Sequence, residues 1–365
     1  MKRDNLHFRW NKARSYNKPW NFVIGERESG KSVDSWFLIW NAYHYYGRPS
    51  IVLRRRIADI SSAYINDTAN VLNKFLDKPI QLIYRKGDLK QGVVDVKVGD
   101  ADKDYNWREV QKLPIFFRII GLSNPRNRIK SLVIENAKYI FFDEFICNRR
   151  GGEKYLENEN FLIQELYTTY NREATSPVKI IAAGNPYSLY NPLFMAHGVD
   201  TSKLKPGAFV VGDDYVIDCF QLPEELKAAI LAHNPMYQFD DAYKRYAFGG
   251  EAVNDRNIRV HKSEPKGFKL VYVFKMGNDF LSIHRGKGKD FKYWACKHKA
   301  DWLNKVSKKR KIIVFNFGDM VEGAVKYSAE NVREFWSLKQ AMDTRQITYN
   351  CIDAQYRLED IYPTI

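Results

Sequence analysis

At 365 residues the chain is too long for one small core, so two domains are expected. Hydrophobic residues make up 45% and charged ones 28%, a globular balance that excludes a disordered or low-complexity protein. Lys and Arg number 58 against 43 Asp and Glu, and the formal charge of +15 creates a field that attracts polyanions, nucleic acid foremost. The cysteines, Cys147, Cys219, Cys296 and Cys351, stand far apart with no CxxC pair, which indicates neither a zinc site nor a disulfide framework. The basic opening segment has no apolar h-region, and no run of about 18 apolar residues occurs. These features lead to the expectation of a cytosolic, reducing location and no membrane span.

Along the first half, short apolar runs alternate with helical stretches, the sequence form of a mostly parallel sheet covered by helices. Strands are predicted at 21–25 (NFVIG), 50–55 (SIVLRR), 115–121 (IFFRIIG), 139–144 (YIFFDE) and 179–185 (KIIAAGN). Helices are predicted over 32–47 and 58–77, and 80–99 reads as an inserted hairpin. After Asn185 the chain becomes rich in Pro, Asn, Gly and Tyr, as connectors are. Two strand-like runs from 268 then form a predicted hairpin, 311–318 a further strand, and 328–346 a helix with Ser328 as its N-cap. The expected division is an NTPase domain over 1–205, a small intermediate linker over 206–261 and an α+β domain over 262–365.

GERESGKS, residues 25–32, matches the phosphate-loop pattern G-x-x-x-x-G-K-[ST] between a predicted strand and a predicted helix, the setting that the mechanism requires. Gly25 and Gly30 let backbone N–H groups wrap phosphate oxygens, and Lys31 would hold the β- and γ-phosphates. Ser32 would ligate Mg²⁺ through its hydroxyl. Downstream, four apolar residues lead into Asp143 and Glu144, read as the acid that holds Mg²⁺ and the general base that orients the attacking water. Asn185, at the end of another apolar strand, is placed to sense the γ-phosphate or hold the lytic water; a turn cap before Pro186 is the other reading. Arg27, inside the loop, is a candidate phosphate contact or a salt-bridge partner. Arg172 and the cluster Arg126, Arg128 and Lys130 are candidates for a finger reaching a neighbouring subunit, or else solvated surface cations. ATP and Mg²⁺ are the implied cofactors. A helicase, or a scaffold that holds nucleotide without turnover, remain as other readings.

In order, NFVIGERESGKS, SIVLRRR, IFFDEFI, YNRE and AAGNPYSLYNP resemble the DNA-packaging ATPase family of short-tailed phages of the phi-29 type, a divergent relative of the large terminases. The resemblance implies an α/β fold with an N-terminal ASCE-type P-loop domain, followed by a smaller α+β, RNase H-like vestigial nuclease domain. It implies a homomeric ring, usually five-fold, that docks at the portal of an empty prohead in the host cytoplasm, drives double-stranded DNA inward and is absent from the mature virion. By position it assigns Lys130 a role in trans and places Arg172 in the arginine-finger segment. The family has two arginines around that asparagine, whereas here Tyr170 precedes Asn171 and only Arg172 follows it.

A large-terminase nuclease needs several carboxylates converging on metal ions. The first C-terminal strand, KLVYVFKMG, has no acid, and Asp279, Asp319 and Asp353 fall at turns or in less regular segments, so DNA cleavage is not expected. Between 262 and 311 stand fifteen Lys and Arg against four acids, a footprint read as contact with the portal or a structural prohead RNA, with Tyr293 and Trp294 offered for stacking.

Overall fold

The computed structural model describes residues 6–125, 134–148, 153–156, 158–172, 174–187, 191–199, 203–233, 260–276, 279–287, 291–299, 302, 312–314, 321, 324–326 and 332–361. The chain divides into two compact units, Met1–Asn254 and Asp255–Ile365.

The first unit is built on nine strands: β1 (Trp20–Gly25), β2 (Ser50–Arg54), β3 (Ile80–Ile83), β4 (Val93–Asp100), β5 (Ile115–Gly121), β6 (Tyr139–Asp143), β7 (Lys179–Gly184), β8 (Phe209–Val211) and β9 (Tyr215–Phe220). They form one sheet in the order β3-β4-β5-β2-β6-β7-β1-β9-β8. From β5 to β9 every pairing is parallel, whereas β4 runs antiparallel to β5, β3 to β4 and β8 to β9. The central strands are apolar on both faces because both faces are covered. Phe22, Phe142 and Ile180 enter one buried layer, and their neighbours Val23, Phe141 and Ile181 enter the other.

Four helices matter for the site. α1 (Lys31–Tyr46) follows β1, α2 (Ser62–Asn73) follows β2, α3 (Glu159–Arg172) precedes β7, and α4 (Glu224–His233) follows β9. The helix expected over 58–77 is shorter than its pattern: Ser61 caps the backbone N–H of Tyr64, so α2 starts at Ser62 after a 3₁₀ turn at Ile57–Asp59. The expected linker also starts in the wrong place. β8 and β9 lie beyond residue 205 yet complete the first sheet, and the division falls after Asn254. Residues 234–259 of that linker lie outside the described residues.

The second unit has six strands: β10 (Lys269–Met276), β11 (Asp279–Arg285), β12 (Tyr293–His298), β13 (Ile312–Val314), β14 (Ala324–Lys326) and β15 (Ile347–Tyr349). Their order is β14-β13-β10-β11-β12-β15. β10, β11 and β12 form an antiparallel meander, and β13 and β14 add in parallel beside β10. That is the strand order and sense of an RNase H-like sheet, with β15 added parallel to β12. Helices α5 (Val332–Asp343) and α6 (Ile352–Ile361) supply Phe335, Leu338, Ala354 and Leu358 to its core. Ser328, the expected cap of α5, lies outside the described residues. Tyr293 and Trp294 are 1% and 4% exposed, so they pack in the interior and do not offer faces for base stacking.

Candidate nucleotide site

The strand order decides which side chains meet. β7 lies between β1 and β6, and β2 lies on the far side of β6. The carboxyl ends of β2, β6, β7 and β1 therefore bring Arg54, Asp143, Asn185 and the loop after Gly25 to one sheet edge, where open parallel sheets bind their ligands. A cleft of about 380 Å³ opens there, lined by Arg27 to Val33, Asp143, Glu144 and Ala183 to Asn185.

The loop is shaped by close backbone approach. A Cβ on Gly25 would stand 2.9 Å from the carbonyl oxygen of Phe220 in β9, and Gly30 adopts φ +82 with His7 packed against it. Phe8 donates its N–H to the Ser29 carbonyl at 2.9 Å, while Trp10 donates its backbone N–H to Asp34 Oδ2 at 2.7 Å. The amino-terminal segment thus straps the loop and the first turn of α1.

Lys31 is buried and points back into the loop. Its Nζ donates to the carbonyls of Gly25 (2.9 Å) and Glu26 (2.7 Å), to Ser29 Oγ (3.0 Å) and to Asn185 Oδ1 (3.4 Å). Burial lowers its ammonium to about 7, against the opposing pull of Asp143 and Glu26. Those four acceptors are neutral dipoles, so a bound phosphate would give the ammonium a direct ionic partner.

Ser32 Oγ donates to Asp143 Oδ1 at 3.1 Å. Burial raises the Asp143 carboxyl to about 6, although Arg54 opposes this. A hydroxyl beside a carboxylate is an oxygen donor set that suits Mg²⁺. Glu144 follows with φ +57 and a side chain 62% exposed into the cleft. A left-handed non-glycine residue at a strand end is strained backbone of the kind found at functional sites.

Three features were not foreseen. Arg54 reaches both acids, with Nη1 at 3.6 Å from Asp143 Oδ2 and Nη2 at 3.3 Å from Glu144 Oε2. Burial works against its charge, but Tyr64, Asp143 and Glu144 together hold its guanidinium above the ordinary value. Arg55 buries a two-pronged pair with Glu159 (2.8 and 3.0 Å) and donates to the carbonyls of Glu144 (3.2 Å) and Phe145 (2.7 Å), which fixes the turn carrying Glu144. Glu26, fully buried inside the loop, accepts from the Leu222 N–H and pairs with Lys227 of α4 at 3.1 Å. Burial raises its carboxyl despite these partners. The sequence signal for the first two was the cationic end of SIVLRRR, but which acids it meets depends on strand order.

The remaining candidates fall as follows. Arg27 lines the cleft, and its Nη2 donates to Tyr187 Oη at 2.9 Å. Arg172 is exposed at the last residue of α3 and is not among the cleft-lining residues. Lys130, Arg126 and Arg128 lie outside the described residues. In the second unit, Asp279 opens β11, Asp353 lies in the first turn of α6 and Asp319 lies outside the described residues. Among the described residues no group of three or more His, Cys, Asp or Glu is arranged to hold a metal ion. None of the four cysteines is in a disulfide, and no described helix is long and apolar enough to cross a membrane.

With the site in place, likeness to known proteins acquires meaning. No family model matches the chain. Over 231 residues it is 27% identical to the DNA packaging proteins of Bacillus phages phi29 and PZA, an alignment that covers 60% of this chain and 57% of each of those. The chain is similar to the phi29-type DNA packaging proteins. The match spans just over half the length of those relatives. Its fold is shared with a DNA packaging motor chain of Phi-28 (TM-score 0.64, 16% identity, 98% of each chain covered). It is shared as well with a chain of the bacteriophage Phi-29 viral genome packaging motor assembly (TM-score 0.60, 20% identity, covering 98% of this chain and 99% of that one).

Proposed function

We propose that the chain is an ATP-driven motor that translocates double-stranded DNA through the portal into an empty prohead. The observation that carries this reading is the convergence of Lys31, Ser32, Asp143, Glu144 and Asn185 on one cleft at the carboxyl edge of the sheet. The similarity to phage DNA packaging proteins supplies the direction.

In this reading Gly25 to Ser32 cradle the phosphates, and Lys31 exchanges its loop carbonyls for phosphate oxygens. Ser32 and Asp143 would hold Mg²⁺, which neutralises charge on the transferring phosphoryl group when bound. Glu144 accepts a proton from the attacking water, and Asn185 holds that water or the γ-phosphate oxygen beside it. Arg27 reaches the phosphates from within the loop. Arg172, exposed at its helix end, and Lys130 serve a neighbouring subunit in a ring, which we take to be a pentamer. The absence of any acid from β10 supports a second unit that does not cut DNA. Its 262–311 stretch would contact the portal or a prohead RNA, although 277–278, 288–290, 300–301 and 303–311 of it lie outside the described residues. The protein would work in the host cytoplasm, docked transiently on the prohead and absent from the mature virion.

The test is packaging itself. Protein, matched empty proheads, linear duplex DNA and ATP are mixed, DNase is added and protected DNA is measured. Protection that requires ATP and is lost with Lys31→Ala is the expected result. ATP hydrolysis without protection would overturn the packaging reading and leave another nucleic-acid translocase or a helicase.

A further inference from the structure

At the sheet edge opposite the cleft, four adjacent parallel strands each carry a cation at their first residue or within two residues ahead of it. In sheet order β2, β6, β7, β1 these are Arg48, Lys138, Lys179 and Lys18. Backbone hydrogen bonds hold three of the joints in register: Lys138 N–H to the Pro49 carbonyl (2.8 Å), Lys179 N–H to the Lys138 carbonyl (3.2 Å) and Ile180 N–H to the Pro19 carbonyl (2.8 Å). With strands about 4.8 Å apart, the row spans about 15 Å.

These charges are held but not neutralised. Arg48 donates to the carbonyls of Asn136 (3.0 Å), Ala137 (3.0 Å) and Ser176 (3.3 Å). Lys179 donates to the carbonyls of Asn17 (2.7 Å) and Lys18 (3.2 Å), and Lys18 to that of Asp213 (2.7 Å). Carbonyls orient a cation without cancelling it. Among the described residues no carboxylate forms a salt bridge with any of the four, and the nearby Asp214 pairs with His197 instead, at 2.9 Å. Burial and the neighbouring Arg48 and Arg14 push the Lys138 ammonium down. Burial, Lys138 and Arg14 do the same to Lys179. Glu135, exposed in the turn ahead of β6, offsets one charge. Beside the row, the end of α1 exposes Tyr45 and Tyr46, which are 71% and 75% accessible.

We propose that this edge docks the phosphate backbone of a duplex nucleic acid. One strand of a duplex carries a phosphate about every 3.4 Å along the axis, so about 15 Å of rigid, ordered cations faces about four of them. The side chains are already fixed by carbonyls, so docking costs little rotamer entropy. The surface is distinct from both the nucleotide cleft and the basic 262–311 stretch, and it acts without hydrolysis.

The experiment uses the full chain without ATP. Anisotropy of labelled 30-base-pair DNA and RNA duplexes is followed from 50 to 200 mM salt for the wild type and for Lys18→Gln/Lys138→Gln. Two lost contacts should flatten the slope of log K against log salt by about 2 and weaken binding about a hundredfold at the lower salt, with ATP hydrolysis unchanged. In parallel, lysine acetylation of the wild type is mapped with and without duplex, and Lys18, Lys138 and Lys179 should be protected. Protection by both duplexes identifies the shared backbone as the ligand, and protection by one alone names the source. An unchanged slope, or these lysines reacting equally with and without duplex, overturns the proposal. If the double variant does not fold, the wild-type acetylation map decides alone. A failed packaging assay would not affect either readout.

Discussion

Replacing Arg55 with Met tests whether the turn carrying Glu144 depends on a buried ion pair. Arg55 donates to both oxygens of Glu159, whose side chain is fully buried and receives one further hydrogen bond, from the Leu156 N–H at 3.1 Å. Methionine fills similar volume but leaves a buried carboxylate without its counter-charge, and two carbonyls, of Glu144 and Phe145, without their donor. Breaking such a pair from one side costs about 3–5 kcal/mol. In urea, with a slope of about 3 kcal/mol per M for a unit of this size, the midpoint should fall by about 1–1.7 M. Arg55→Met/Glu159→Leu should recover most of the loss, because replacing both charges by apolar groups removes the uncompensated one. The measurement is urea unfolding followed by tryptophan fluorescence for the wild type, both single variants and the double. A loss under about 1 kcal/mol for Arg55→Met, or a double variant as unstable as the sum of the singles, would refute the argument.

Glu144→Gln should bind ATP with unchanged affinity and lose hydrolysis; turnover at the wild-type rate would remove Glu144 from the role of base. Affinity for Mg-ATP should peak between the two shifted groups of the empty site. It should fall above about pH 7, where Lys31 loses the proton that phosphate binding favours, and below about pH 6, where Asp143 gains one that metal binding must expel; titration calorimetry across pH 5 to 9 checks both limbs. Gly30→Ala forces a side chain into φ +82 and to 3.0 Å from His7 Cβ, so it should cost about 1–2 kcal/mol and weaken nucleotide binding, read as a lowered Tm with and without ATP.

The central sheet was legible because its strands are apolar on both faces, a pattern that 22–24 in β1, 139–142 in β6 and 180–183 in β7 show without interruption. The grouping of 25–32 with Asp143 and Glu144 at one cleft was legible because each follows an apolar strand directly at short spacing. Arg54, Arg55 and Lys227 were not, since their partners lie 90, 104 and 201 residues away and meet them only through sheet order. β8 and β9 were missed because YVIDCF sits among Gly, Pro and Asp residues that read as connectors. Tyr293 and Trp294 misled because lysines surround them in sequence, while the strand they open turns Tyr293 to one buried layer and Trp294 to another.

The joint between Glu26 and Leu222 bears on where the chain can be cut. A fragment ending at residue 205 keeps every phosphate-loop motif and would look complete on paper. It would nonetheless lack β9, the parallel neighbour of β1, so the strand feeding the loop would become a raw edge. Glu26 would lose both Lys227 and the Leu222 N–H. During synthesis the same holds in time: the first motif to leave the ribosome finishes folding only after residue 227 has emerged, roughly 200 residues later. An autonomous fragment of the first unit therefore has to extend through α4, and its solubility should rise abruptly once that helix is included.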